Sequence, residues 1–106
     1  MGFFDFLKPT DINAGVKEAL ATPGAILLDV RTPAEYAAGH IPKSRNMPLD
    51  CIGDMAKDYP DRSCAYFLYC QSGMRSQQAA AALRKMGYEH ITNIGGIAAY
   101  RGRLEE

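Results

Sequence analysis

The residue types best suited to covalent chemistry stand together in the run Cys70-Gln71-Ser72-Gly73-Met74-Arg75-Ser76. The thiol follows an apolar, aromatic stretch, Cys64-Ala65-Tyr66-Phe67-Leu68-Tyr69, and precedes a segment of strong helix formers, so it falls on a strand-to-helix turn. At such a turn several backbone N–H groups lack intrahelical partners, and the positive end of the helix dipole faces the incoming chain. A thiol placed there is expected to ionise, because helix N-termini lower cysteine pKa values to about 3.5–7.5 and the cation of Arg75 pushes the same way. Gly73 permits backbone angles at which successive N–H groups converge on one anion. The loop therefore reads as a cradle for a sulfur anion.

Other chemically capable residues have less support from their neighbours. Asp29 and Arg31 flank Val30 at the end of another apolar run and read first as an ion pair, with substrate contact as the second reading. His40 sits at a helix exit and reads as structural rather than as a general base, and His90 lies in a strand pattern with no chemistry around it. Cys51 and Cys64 read as core or partly buried thiols. Three cysteines cannot all pair within the chain, and their spacing lacks the Cys-x-x-Cys knuckles of a structural zinc site. Neither a metal nor a cofactor is implied.

The elements that must position Cys70 follow from periodicity and punctuation. Asp11 to Ala21 places Ile12, Val16, Ala19 and Leu20 on one helical face, begins at a capping residue and ends at Thr22-Pro23-Gly24. Ala25 to Val30 is a continuous apolar run of strand length, as expected for a strand covered on both faces. Thr32-Pro33-Ala34-Glu35 combines an N-cap hydroxyl, a first-turn proline and a capping-box glutamate, and the helix it starts ends at Gly39. A short strand is expected around Arg45 to Met47, then a helical stretch near Cys51 to Asp58 that Tyr59-Pro60 terminates. After the strand at Cys64 to Tyr69, a helix runs from Arg75 or Ser76 to Met86 with Ala79, Ala82, Leu83 and Met86 on one stripe and Gly87 as its cap. His90 to Ile94 is a last strand, and Gly95-Gly96 leads into a turn of helix near Ile97 to Arg101. Strands alternating with helices imply right-handed crossovers and a parallel sheet, with ligands collecting beyond the carboxyl ends of the strands. Both Asp29-Val30-Arg31 and the Cys70 loop fall at such ends.

Composition narrows the function classes. The chain has 106 residues, 47% hydrophobic and 23% charged, the usage of one ordinary globular domain. Twelve Lys plus Arg balance twelve Asp plus Glu, so the field that steers proteins onto nucleic acid or anionic membranes is missing. Apolar runs fall far short of the roughly 20 residues that a membrane span needs. No secretory signal or myristoylation motif is expected in Met1-Gly2-Phe3-Phe4-Asp5-Phe6-Leu7-Lys8, and the cytoplasm is the expected compartment, where a free thiol stays available. Residues 1–10 form an apolar N-terminal segment ahead of a domain at 11–106. Its rings Phe3, Phe4 and Phe6 either dock on the domain's own core, the simpler reading, or form a weak homodimer or partner contact.

Five groups of residues together resemble one family, the single-domain rhodaneses. They are Leu28-Asp29-Val30-Arg31-Thr32-Pro33-Ala34-Glu35-Tyr36, Gly39-His40-Ile41-Pro42, Asn46-Met47-Pro48-Leu49, Tyr69-Cys70-Gln71-Ser72-Gly73-Met74-Arg75-Ser76 and Gly95-Gly96. The resemblance covers nearly the whole chain, from about Asp11 to Arg101. It implies a three-layer α/β fold, a five-stranded parallel sheet with helices on both faces. It also implies a sulfurtransferase in which Cys70 carries a persulfide, the residues Gln71 to Arg75 bind the anion, and Asp29, Arg31 and Ser76 support them. The implied partners are a small sulfur-anion donor, such as thiosulfate or a persulfide, and a thiol or cyanide acceptor. Two departures are visible: Lys43-Ser44 follows His40-Ile41-Pro42 where the family has Gly-Ala, and Tyr100 stands where a tryptophan is common. A non-enzymatic carrier or docking module is the alternative, though retention of Cys70 argues against it. A phosphatase or arsenate reductase of the same fold is disfavoured, because four residues separate Cys70 from Arg75 and the phosphatase members carry one more.

Overall fold

The structure is a computed structural model, and it describes residues 11–106. The N-terminal segment 1–10, with the expectation for Phe3, Phe4 and Phe6, lies outside the described residues. The chain runs through α1 (Ile12–Ala21), β1 (Ile26–Asp29), α2 (Pro33–Ala38), β2 (Arg45–Asn46), a 3-10 helix (Leu49–Asp54), α3 (Met55–Asp58), β3 (Ala65–Cys70), α4 (Met74–Lys85), β4 (His90–Gly96) and a final 3-10 turn (Ile97–Ala99). The expected boundaries hold to within a residue or two, and the stretch near Cys51 is 3-10 before it becomes α-helical.

The strands pair in parallel in the order β2-β1-β3-β4. Four strands, not five, make up the sheet among the described residues. The physical reason is that this part of the chain holds four runs able to extend, and the remaining connections are used by helices and 3-10 turns. The C-terminal residues contribute one isolated antiparallel bridge, His40 to Glu105. The order reverses direction between β1 and β3, which leaves a crevice beyond the carboxyl ends of those two strands.

Alternation along each strand feeds two cores. Leu27, Phe67, Tyr69 and Ile94 face α1 and bury Ile12, Val16 and Ala19. Leu28, Val30, Tyr66, Leu68, Cys70 and Ile91 face the other way, onto Ala79, Ala80 and Leu83 of α4 and onto Met55. Both faces are therefore covered, as the continuous apolar runs require. The small side chains Ala79 and Ala80 bring α4 close against β3 and so hold its N-terminus over the end of that strand. One expectation for α1 is corrected: Leu20 is 56% exposed, and Gly15 takes the fourth buried position because its missing side chain lets Ile94 approach. Among the described residues no helix is long and apolar enough to cross a membrane.

Candidate active site

Cys70 is the last residue of β3, and α4 begins four residues later. The turn between them is made by Gly73, whose φ of 101° lies in the left-handed region that other residues resist. That geometry directs the Gly73 N–H back onto Cys70 Sγ at 3.0 Å. Burial pushes the thiol pKa up, but hydrogen bonds from the Ser76 side chain and from the backbone N–H groups of Ser76, Gly73 and Ser72 outweigh it. The thiol is held below its ordinary value. Ser76 has one hydroxyl hydrogen and three acceptors within reach: Asn93 Oδ1 at 2.7 Å, Gly73 O at 3.1 Å and Cys70 Sγ at 3.5 Å. With Asn93 the nearest, the backbone N–H groups are the more constant source of the lowered pKa.

A second set of contacts fixes the loop from β4. A register shift between Leu68 and Tyr69 in the β3–β4 pairing places Asn93 opposite Leu68 and Gly95 opposite Tyr69. Asn93 Nδ2 donates to Gly73 O at 3.2 Å, while its Oδ1 accepts from Ser76 and from the Gly95 N–H. Ala98 N–H donates to Gln71 O at 3.2 Å. Gly96 lies against the loop so closely that a Cβ there would sit 2.4 Å from Gln71 O and 2.7 Å from Ser72 Cα.

Arg75 departs from expectation. Its guanidinium does not stand free over the loop; Nη1 and Nη2 donate to the two carboxylate oxygens of Glu35 at 2.7 and 3.0 Å. The same Glu35 accepts from Thr32 N–H and Oγ1 as the capping-box residue of α2. These bonds, Arg75 first, draw the Glu35 carboxyl down to about 2. Arg75 thus ties the first turn of α4 to α2, and the thiol owes its acidity chiefly to backbone groups and Ser76.

Asp29 and Arg31 form the expected ion pair. Arg31 Nη2 donates to Asp29 Oδ2 at 2.7 Å and to Gly39 O at 2.7 Å, Nε reaches both carboxylate oxygens, and the Arg31 N–H donates to Oδ1 at 2.8 Å. Both side chains are buried. Asn46 Nδ2 closes the turn by donating to Asp29 O and Arg31 O. His40 is structural: its ring stacks on Tyr36 at 3.7 Å, and Nδ1 lies 2.8 Å from Tyr36 O. His90 is exposed beside Glu89.

The other thiols separate clearly from Cys70. Cys64 is half-buried, donates to Gly24 O at 3.1 Å, and has its pKa raised by burial and then by Asp61. Cys51 is exposed, which corrects the expectation of a core or partly buried thiol; it sits on the solvent side of the 3-10 helix.

Gln71, Ser72 and Met74 are exposed at the rim of the loop. Sequence reasoning missed Asn93 and the second role of Glu35. The signal for Asn93 was present, since it shares a strand face with buried Ile91 and a polar residue on a buried face needs a partner. No local signal tied Glu35 to Arg75, because the pair joins elements forty residues apart.

Known proteins resemble this chain in sequence and fold. The family model for the rhodanese-like domain matches residues 13–103. A protein named sulfurtransferase from Allochromatium vinosum is 42% identical over 81 residues, 74% of each chain. The tRNA uridine(34) hydroxylase of Erwinia tasmaniensis is 35% identical over 107 residues, and this chain spans 29% of its length. Among solved structures, a rhodanese with anions from E. coli superposes with a TM-score of 0.71 at 31% identity, covering 77% of this chain and 98% of that one. A human single-domain sulfurtransferase gives 0.72 at 28% identity, covering 88% and 95%. A cysteine held by backbone N–H groups at the end of a parallel strand, on a fold shared over nearly the whole described chain, places this protein in the rhodanese-like domain family.

Proposed function

We propose that the chain is a rhodanese-type sulfurtransferase that carries sulfane sulfur as a persulfide on Cys70. The supporting observation is the convergence of N–H groups on the Cys70 sulfur, with Gly73 N–H at 3.0 Å and the thiol pKa lowered. A thiolate needs no separate base to attack. With thiosulfate as donor, Sγ attacks the outer sulfur, the Sγ–S bond forms, and the S–S bond of the donor breaks with its electron pair leaving on sulfite. The resulting persulfide anion is held by the same N–H groups. A thiol or cyanide acceptor then attacks the outer sulfur and releases Cys70 as thiolate. Splitting the transfer into two displacements predicts ping-pong kinetics. The reaction requires Cys70 reduced, consistent with work in the cytoplasm.

Intact mass after incubation with excess sulfane donor tests this reading. One added sulfur atom is expected on the native chain and on Cys51→Ser or Cys64→Ser, and none on Cys70→Ser. An adduct lost with Cys51 or Cys64 in a folded protein would overturn the assignment.

A further inference from the structure

The clefts around the loop carry a charge pattern that bears on what the thiolate meets. The larger, about 540 Å³, is bordered by Gln71, Ser72, Met74, Gln77, Asn93 and Ala98 with three glycines and Ala99, and none of these ten residues is ionisable. The second, about 350 Å³, shares Gln71 and Ala98 and adds Ile97 and Leu104; its two ionisable residues, Arg31 and Glu35, are paired with Asp29 and Arg75. Arg75 borders a third, small cleft beside Asp50 and is held by Glu35 at both nitrogens. Among the described residues, every cation bordering these clefts, Arg31 and Arg75, is thus already matched by a carboxylate. Apolar groups stand at the rim instead, with Met74 66% and Leu104 45% exposed.

Thiosulfate is a dianion of five atoms. To be attacked it must approach a thiolate, and a site for such an ion needs charge-assisted donors to offset desolvation and like-charge repulsion. An organic persulfide, R–S–SH, carries at most one charge, and its carbon chain gains from apolar surface. A cleft of several hundred cubic ångströms also fits a molecule well above the size of an inorganic ion.

From this pattern we infer that the sulfur donor is an organic persulfide on a neutral or apolar carrier, rather than thiosulfate. The inference rests on the sulfurtransferase reading above and specifies its substrate class. Cys70 Sγ attacks the outer sulfur of R–S–SH; the Sγ–S bond forms and the S–S bond of the donor breaks, its electron pair leaving on R–S⁻. The proton of the outer sulfur passes to the released R–S⁻, giving R–SH and the Cys70 persulfide anion. The sulfane sulfur moves from one thiolate to another, so no external oxidant or reductant is needed.

The test measures initial rates of Cys70 persulfidation by intact mass on the full chain, with background subtracted using Cys70→Ser. Three donors are compared at equal concentration: thiosulfate, hydroxyethyl persulfide, and a short uncharged peptide bearing one cysteine persulfide. Both organic donors are expected to react at least 100-fold faster than thiosulfate. A faster peptide identifies a protein-borne donor, and an equal or faster hydroxyethyl persulfide a small-molecule one. Adding the missing cation, as Gln71→Lys or, if that variant does not fold, Ser72→Lys, is expected to raise the thiosulfate rate about tenfold at low salt, an effect that fades as ionic strength rises. Thiosulfate reacting as fast as the organic donors in the native chain would overturn the substrate class and leave sulfur transfer standing. Failure of all three donors would overturn both.

Discussion

Two turns lie side by side at the carboxyl ends of the central strands, one after β1 and one after β3, and they spend their backbone donors differently. After β1, the Val30 N–H goes to Tyr69 O, the Arg31 N–H to Asp29, and the Thr32 N–H to Glu35. One strand carbonyl and two carboxylates absorb what that turn offers, and an ion pair fills its interior. After β3 the turn has no carboxylate of its own, and the Gly73 N–H faces a sulfur. The same position in a parallel sheet becomes a strut in one case and leaves a donor facing a thiol in the other, according to whether side chains consume the donors.

Removing the internal partner of the first turn should have the largest effect. Asp29→Ala leaves the Arg31 guanidinium buried without its counter-ion, and a stability loss of about 3–5 kcal/mol is expected in denaturant titrations. The thiol pKa of the fraction that remains folded should stay at its native value. A matching rise in that pKa would show the two turns to be one cooperative unit.

Crowding the second turn ranks next. Gly96→Ala pushes a methyl group against the Gln71 carbonyl, which should cost about 1–3 kcal/mol of stability. Sulfur loading of Cys70, followed by mass, should slow by about a hundredfold, because reacting groups misplaced by about an ångström lose that much. Loading at the native rate would show that the loop tolerates displacement.

Ser76→Ala dissects the second turn more finely. Loss of one hydroxyl donor, about 0.5–1.5 kcal/mol, is expected to raise the thiol pKa from its lowered value. Because the folded thiol titrates below the unfolded one, ionisation of Cys70 stabilises the native state fully above the unfolded pKa. That stabilisation is lost as pH falls through the folded pKa. In Ser76→Ala the window of rising stability narrows, and the pH profile of sulfur loading moves to higher pH. An unmoved profile would mean that the hydroxyl is committed to Asn93 and the backbone alone sets the acidity.

The smallest effect belongs to the bridge between the two turns. Glu35 and Arg75 are each about one-third exposed, so Glu35→Gln should cost only about 0.2–1 kcal/mol. With the Glu35 carboxyl drawn down to about 2, its contribution is present above its unfolded value near 4.5 and disappears as pH falls toward 2. Flattening of the acid limb of the stability curve in Glu35→Gln checks this. A loss of several kcal/mol would mean that α2 and α4 depend on each other far more than two side chains one-third exposed explain.

What is legible in the sequence divides along the range of the interactions. Local signals located the helix that follows Cys70, the capping box of α2 and the Asp29–Arg31 pair, because each depends on residues a few positions apart. The cradle itself was legible for the same reason: a cysteine, a glycine and a helix start within one turn. Arg75 was misplaced because its partner lies across the fold, and sequence distance says nothing about which carboxylate a guanidinium will meet. Asn93 was overlooked because its value comes from a register shift in β4. The fifth strand came from family likeness alone and had no matching run in the described part of the chain.

The contact between Gly96 and the loop gives the site a floor. With Gln71 O and Ser72 Cα already resting on β4, the ring of N–H groups cannot widen by settling inward. Any extra residue would have to swell toward solvent, taking the donors away from the thiol as it did so. The sheet thereby acts as a stop for the loop: β4 fixes how near the backbone donors can lie to Cys70, and a longer turn would have to place them farther out.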